Sequence, residues 1–524
     1  MEQRSISKVL MINKIRARNH LIPLRVGWCV SRCVSWCVSL SVALCVGATA
    51  AAQNTPAQRF VEAQTRQGPL KNAAWGVLAV DADGNVLAQH NAGQMLVPAS
   101  NLKLVTTGAA LHAFGPEYRF RTRLGYSGVI GPDGTLEGDV YIVGGGDPTI
   151  GARDSIALKA EALFWKWKTL LRQAGIQRIN GRIVGDGSAW EGMLEHPSWN
   201  YDDTGTYYGT GGNALCFYAN AIDLEVRAGA RAGDAVSMRQ RYPETPWMHL
   251  SNQSFTGPAG TGNSLYLYTT DLAPYAELRG SFATDRAPKT EHFANKYGAL
   301  TCARYFWKNL RDTGWEVTGS YADIDRNGRL RGEDFVPGEK AATPQIIGES
   351  ESPELRSIVR ETLLRSDNFY AESLLRAMGE AASGVAVYDS CLVALNQVLE
   401  DLGAPSEGYR QADGSGLSRT NYLSPEWMVA YLDALRKSPA FPDFLQALPH
   451  PGEGTLVTLL PGHQERGRIC LKSGSMDGVL CYSGYLLDTQ GRPAVTLSVM
   501  TNNTTASVAE VRSILARLIL YLLP

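Results

Sequence analysis

Ser100 and Lys103 stand three residues apart where an apolar run begins, Pro98-Ala99-Ser100-Asn101-Leu102-Lys103-Leu104-Val105. On a helix, positions i and i+3 share a face, so the Ser100 hydroxyl and the Lys103 amine can meet. An ammonium among Leu102, Leu104, Val105 and Leu111 is costly unless it is paired or gives up its proton. The chemistry this suggests is a nucleophilic serine with a lysine base. A Ser-x-x-Lys pair arises by chance in most chains of this length, so partners must be found elsewhere. Two short sequences qualify. Ser366-Asp367-Asn368 follows an apolar helical stretch over 358–364, and Lys472-Ser473-Gly474 ends a strand candidate that starts at Arg468. Singly, Ser366 and Asn368 read as helix-capping or turn residues, and Lys472 as a strand-end charge facing water. As an ordered set, each in a fitting local structure, the three read as one catalytic cleft.

The elements that must position these residues follow from the pattern. A β-favouring run over 75–80, a turn at Asp81-Ala82-Asp83-Gly84-Asn85 and a second run over 86–89 predict a hairpin that feeds into the Ser100 helix. That helix stops near Phe114-Gly115-Pro116. From about Tyr118 to about Ala342 the texture changes to short strands and frequent turns, such as Gly131-Pro132-Asp133-Gly134. Within it, Phe164-Trp165-Lys166 and Phe306-Trp307-Lys308 each sit in an amphipathic stretch with a glycine stop and a following strand. The echo is compatible with two copies of one unit or with chance. Residues 323–340, charged and without apolar periodicity, read as a linker or exposed loop. Helical periodicity returns over 355–364 and 370–381. Ser424 reads as an N-cap with Pro425 at the first helical position. Strands over 479–487 and 494–500 follow the turn Ser475-Met476-Asp477-Gly478. The last helix, over 506–523, reads as packed on that sheet rather than lying on a membrane.

Composition sets the class. Hydrophobic residues at 44% and charged residues at 19% fit a globular chain, and 524 residues allow more than one domain. A net charge of −1 gives no electrostatic case for nucleic acid. Eight histidines and nine cysteines show no zinc spacing, so neither metal nor cofactor is expected. The N-terminus reads as an export signal over 1–50. Arg4, Lys8, Lys14, Arg16, Arg18 and Arg25 precede an apolar run over 36–46 and the small-x-small site Ala48-Thr49-Ala50. Met11 is an alternative start, and the apolar run is short for a membrane span. This places the protein in the periplasm or cell envelope. Cys29, Cys33, Cys37 and Cys45 would leave with the signal. The remaining five, Cys216, Cys302, Cys391, Cys470 and Cys481, are an odd number, and no disulfide framework is expected.

Ser-x-x-Lys, Ser-Asp-Asn and Lys-Thr-Gly in order are the signature of penicillin-binding proteins and class A β-lactamases, with Ser473 here replacing the threonine. Gly144-Gly145-Gly146-Asp147-Pro148, Asp413-Gly414-Ser415-Gly416-Leu417-Ser418 and Gly452-Glu453-Gly454-Thr455-Leu456 extend the match. From about Ala74 onward the chain resembles the D-alanyl-D-alanine carboxypeptidase/endopeptidase family, the class C low-molecular-mass penicillin-binding proteins. The resemblance implies an α+β fold: a β-lactamase/transpeptidase-like domain whose antiparallel sheet lies between helices. Its two parts, 53–117 and 343–524, would flank a β-rich insert of two domains over 118–342. The wide gap between Ser100 and Ser366 agrees with such an insert.

The resemblance also implies roles. Ser100 would attack the D-Ala–D-Ala carbonyl with Lys103 as base, and Ser366 would relay the proton to the leaving amine. Asn368 would hold Lys103 and the substrate amide. Lys472 and Ser473 would bind the terminal carboxylate, with Lys472 also the cation that lowers the Lys103 pKa. The N–H groups of Ser100 and Ser475 would form the oxyanion hole. Asp202 with Tyr207, in the insert, and Arg419 would grip the amine and carboxylate of a diaminopimelate side chain, with Met476 lining the same cleft. A plainer reading makes Asp202 a turn residue and Arg419 a loop charge. The implied partners are peptidoglycan peptides ending in D-Ala-D-Ala or cross-linked through D-Ala, and β-lactams as covalent inhibitors. A serine β-lactamase is the nearest competitor. It needs a glutamate to activate the deacylating water, but Glu407 is followed by Gly408-Tyr409-Arg410-Gln411 rather than by a Glu-x-x-x-Asn pattern. A non-catalytic wall-binding homologue would not need Ser100, Lys103, Ser366, Asn368 and Lys472 intact.

Overall fold

Alternating burial organises the sheet that carries the site. The computed structural model describes residues 54–524. The proposed signal and its four cysteines lie outside the described residues. In chain order, the elements around the site are α1 (Pro56–Arg66), β1 (Ala74–Asp81), β2 (Val86–His90), α2 (Lys103–Phe114), α3 (Leu355–Arg365), α4 (Asn368–Ser383), α5 (Tyr388–Leu402), α6 (Pro425–Leu435), α7 (Phe441–Ala447), β3 (Ile469–Met476), β4 (Val479–Leu487), β5 (Pro493–Asn502) and α8 (Val508–Leu522). The strands form one antiparallel sheet in the order β2-β1-β5-β4-β3. Successive side chains of a strand point to opposite faces. Leu480, Tyr482 and Leu486 of β4 therefore join Val511, Leu515 and Ile519 of α8 and Val61 of α1 on one face. Cys481 and Tyr485 join α2, α4 and α6 on the other. Both faces are covered, so β4 is buried over its whole length.

Local signals set the element ends. The β1–β2 hairpin forms as the sequence predicts, with Val77 opposite His90. Gly115, at φ +80°, ends α2 with its N–H on the Leu111 carbonyl. Ser424 Oγ caps α6 by accepting the Trp427 N–H at 3.1 Å, with Pro425 first in the helix. The apolar stripe of α8 packs on the sheet as expected, and no single described helix is long and apolar enough to cross a membrane. All five cysteines of the described residues are buried free thiols.

Between α2 and α3 the chain builds five further sheets. The widest has seven strands, in the order 337–340, 329–331, 321–324, 183–186, 140–143, 121–126 and 345–351. Two points differ from the sequence reading. Residues 323–340 are not a loop: Tyr321–Ile324, Arg329–Arg331 and Pro337–Lys340 are antiparallel strands at one edge of this sheet. Their charge misled the pattern, because Asp323 is buried against the Arg331 guanidinium at 2.7 Å and the outermost strand keeps its charges in water. The sheet also extends past Ala342, since Gln345–Glu351 pairs with Arg121–Tyr126. The two echoed helices, Ala160–Gln173 and Gly298–Asp312, lie side by side with Phe164 and Phe306 rings 5.4 Å apart. The strands that follow them pair in parallel, Ile183 opposite Tyr321.

Candidate active site

Pro98 leads into one turn of 3-10 helix, Ala99–Leu102, which runs straight into α2. In a 3-10 turn the side chains at i and i+3 eclipse, so Ser100 and Lys103 face each other more closely than on an α-helix. Lys103 Nζ lies 2.9 Å from Ser100 Oγ. Ala99, just before the serine, is held at φ +48°, a strained value for a residue with a Cβ. Gly474 of β3 lies against this turn, and a Cβ there would sit 2.3 Å from the Pro98 carbonyl and 3.2 Å from the Ser100 nitrogen.

The other two motifs close around the pair. Ser366 ends α3 in the left-handed region, at φ +59° and ψ +40°. Asp367 then caps α4, its carboxylate accepting the Tyr370 N–H at 2.9 Å. The middle residue of Ser366-Asp367-Asn368 thus takes the capping role, and its neighbours are free to serve the cleft. Asn368 Oδ1 accepts from Lys103 Nζ at 2.6 Å, and the Ser415 carbonyl accepts from the same amine at 2.8 Å. On the other side, Lys472 Nζ donates to Ser366 Oγ at 3.0 Å and to the Ser473 carbonyl at 2.6 Å. Ser473 Oγ donates to Thr455 Oγ1 at 2.6 Å.

The electrostatics differ between the two amines. Both lysines are fully buried. Burial pulls Lys103 down to about 8, although Asp413, Glu372 and Asp367 pull the other way. Lys472 falls well below the ordinary lysine value because of burial and then the charge of Lys103. Desolvation is the larger cause for both amines, and the repulsion between them is mutual, so a charge on either one disfavours the proton on the other. Carboxylates act on Lys103 alone.

Two buried carboxylates were not visible as site residues in the sequence. Glu372, one turn after Asn368 in α4, accepts the N–H groups of Gly414 and Ser415 at 3.0 and 2.8 Å. Burial and then Asp413 raise its pKa to about 7. Asp413 accepts from the N–H groups of Gly416 and Ser418, from Asn421 Nδ2 and from Trp199 Nε1. Together they fold the 413–418 loop so that the Ser415 carbonyl meets Lys103. The Asp-Gly-Ser-Gly motif marked this loop, but nothing in the spacing marked Glu372.

The remaining predicted residues lie around this cluster. Ser475 is exposed at the end of β3, and Met476 is half-buried beside the Asp477–Gly478 turn. Arg419 is exposed, with its guanidinium 3.4 Å from the Asp477 carbonyl, so it reaches the β3–β4 hairpin. Asp202 and Tyr207 are exposed on the insert. Among the described residues Asp202 makes no ion pair, so the structure does not join it to Arg419. Asn368 Nδ2 gives one of its two N–H groups to the Tyr208 carbonyl at 2.9 Å, which leaves the second N–H beside the cleft.

Comparison with known proteins places this geometry. The family model described as D-Ala-D-Ala carboxypeptidase 3 (S13) matches residues 57–519. A D-alanyl-D-alanine carboxypeptidase of Actinomadura sp. is 28% identical over 90% of this chain and 86% of its own length. The D-alanyl-D-alanine carboxypeptidase DacB of Haemophilus influenzae is 24% identical over 79% of this chain and 83% of its own. The crystal structure of penicillin binding protein 4 (dacB) from Haemophilus influenzae superposes with a TM-score of 0.73 at 22% identity, over 88% of this chain and 99% of that one. The fold is therefore the transpeptidase-like one with added domains that the motifs implied. With a serine and a buried lysine in contact and a family match over nearly the whole described chain, the protein belongs to the D-Ala-D-Ala carboxypeptidase 3 (S13) family of serine-type peptidases.

Proposed function

We propose that this carboxypeptidase acts on peptidoglycan stem peptides through an acyl-enzyme on Ser100. The observation that carries the assignment is the buried Lys103 amine, 2.9 Å from Ser100 Oγ and pulled down to about 8. A lysine with that value is neutral in a useful fraction of molecules near neutral pH, whereas one near 10.4 is not. Neutral Lys103 takes the Ser100 proton as Oγ attacks the D-Ala carbonyl. The backbone N–H groups of Ser100 and Ser475 receive the oxyanion. Ser366, bonded to Lys472, relays the proton from Lys103 to the leaving amine through its own hydroxyl, the C–N bond breaks, D-Ala departs and Lys103 is neutral again. Neutral Lys103 then takes a proton from the water that attacks the ester and returns it to Ser100 Oγ as the C–O bond breaks.

Lys472 and Ser473 bind the substrate carboxylate, beside Thr455. In the free enzyme three carboxylates favour the proton on Lys103. A substrate carboxylate arriving at Lys472 favours positive charge there instead, leaving Lys103 neutral when it is needed. A β-lactam offers the same carbonyl and carboxylate, and acylates Ser100 by the same route. Asp202, Tyr207, Arg419 and Met476 form an outer subsite for the stem-peptide side chain. We read residues 118–351 as inserted domains between the two parts of the catalytic domain, and the N-terminal pattern as an address to the periplasm or cell envelope.

Release of free D-Ala from a peptide ending in D-Ala-D-Ala tests the assignment. The Ser100→Ala protein should release none above background, and undiminished release would sink the mechanism. Parallel incubation with cross-linked wall fragments reads whether the leaving group is D-Ala or a cross-linking side chain. Labelled penicillin should stay bound to the protein, and rapid turnover of the adduct would favour a β-lactamase.

A further inference from the structure

The insert meets the reactive cluster at an atom that fixes an orientation. A carbonyl oxygen can only accept hydrogen bonds. The Tyr208 carbonyl, 2.9 Å from Asn368 Nδ2, therefore selects one of the two amide orientations and leaves Oδ1 for the Lys103 amine at 2.6 Å. With the amide turned over, its two N–H groups would face the ammonium. Tyr208 sits in the short turn Tyr207–Gly209. That turn is held from behind by Lys296, whose Nζ donates to the Gly209 carbonyl at 2.6 Å and pairs with Glu195 at 2.8 Å. The Lys296 side chain is 0% exposed and that of Glu195 10%. Glu195 and Gly209 bracket a segment that also sends Trp199 Nε1 to Asp413 and places Ser198 Oγ 2.5 Å from Ser418 Oγ. Lys296 thus clamps both ends of the part of the insert that faces the catalytic loop. A buried ion pair adds little net stability but holds one geometry.

We propose that Lys296, together with Glu195, is a positioning residue for acylation: through the Gly209 and Tyr208 carbonyls it orients the Asn368 amide and so holds the Lys103 amine against Ser100. It touches no reacting atom and lies in none of the signature motifs. The proposal rests on the reading of Ser100 and Lys103 as nucleophile and base. It predicts a direction for pH dependence. The charged groups that act on Lys103 are Asp413, Glu372 and Asp367, with Lys472 beyond Ser366. None of them is a hydrogen-bond or ion-pair partner of Lys296, whose partners are the Gly209 carbonyl and Glu195. Loss of the Oδ1 acceptor removes a bond that favours the protonated amine, so Lys103 loses its proton at lower pH.

The test is the acylation rate constant with a fluorescent penicillin, followed across pH, for Lys296→Met and for the charge-free double variant Lys296→Met/Glu195→Leu. The rate constant is expected to fall roughly 10- to 100-fold, the scale of a displaced catalytic group. The pH midpoint of its rise should move down, while the titratable fraction of protein stays near that of the parent. An unchanged rate and midpoint would overturn the proposal. So would a loss explained wholly by a smaller titratable fraction with the parent's rate constant and midpoint. If both variants fail to fold, the isosteric Glu195→Gln is read by the same two outcomes. A parent protein that penicillin does not acylate at all would strike the Ser100 reading instead, so the two failures are distinguishable.

Discussion

Which of two buried lysines carries the proton decides the chemistry at the scale of single residues. Burial depresses both, but only Lys103 has Asp413, Glu372 and Asp367 to hold a positive charge. The acylation rate should therefore rise with pH as Lys103 loses its proton, with a midpoint near 8. A midpoint near 10, the value of a lysine in water, would contradict a desolvated base. Lys103→Arg should abolish acylation, because a guanidinium does not give up its proton. Stopped-flow labelling with a fluorescent penicillin measures both, and an arginine variant that still labels would remove Lys103 from the role of base.

At the scale of elements, the site exists because two backbones, strand β3 and the Ser100 turn, come unusually close. β3 packs on the Ser100 turn only because position 474 has no side chain. A Cβ there would meet the Pro98 carbonyl at 2.3 Å and the Asn101 nitrogen at 2.9 Å, both backbone atoms that cannot swing aside. Gly474→Ala should cost about 1–3 kcal/mol in unfolding free energy, the usual scale of overpacking. It should lower acylation far more than that loss of stability explains. Denaturant unfolding beside penicillin labelling reads the two separately, and equal small losses in both would show that the strand can retreat without harm.

The same elements show what a sequence can and cannot reveal. Ser100, Lys103, Ser366, Asn368 and Lys472 were legible because each motif is local, and its place at a helix start, a helix junction or a strand end is written in its flanking residues. Glu372 was not legible. Its partners are the Gly414 and Ser415 N–H groups, and a bond to backbone leaves no pattern of side chains. The Tyr208 carbonyl was hidden for the same reason. The strands over 321–340 are not legible in the sequence because their charges look like exposure, whereas Asp323 is paired with Arg331 inside a sheet edge.

At the scale of the whole molecule, the insert takes part in the site. Trp199 reaches Asp413 at 2.8 Å, Ser198 meets Ser418, and the Tyr208 carbonyl holds Asn368. Trp199→Phe keeps the aromatic bulk but leaves one oxygen of a buried carboxylate short of a donor, at a cost of about 1–3 kcal/mol. Thermal unfolding should register that loss, and penicillin acylation should slow because the 413–418 loop positions the Ser415 carbonyl on Lys103. Unaltered acylation in the folded variant would mean that the loop holds its shape without the insert.

The central claim, that Ser100 is acylated with Lys103 as its base, is tested most directly by locating the adduct. Protein treated with benzylpenicillin is digested and mapped by mass spectrometry, beside Ser100→Ala and Lys103→Arg. The account predicts one penicilloyl group, on Ser100, in the parent protein and none in either variant. A parent that carries the adduct on another residue, or a Ser100→Ala protein that is still modified, would contradict it.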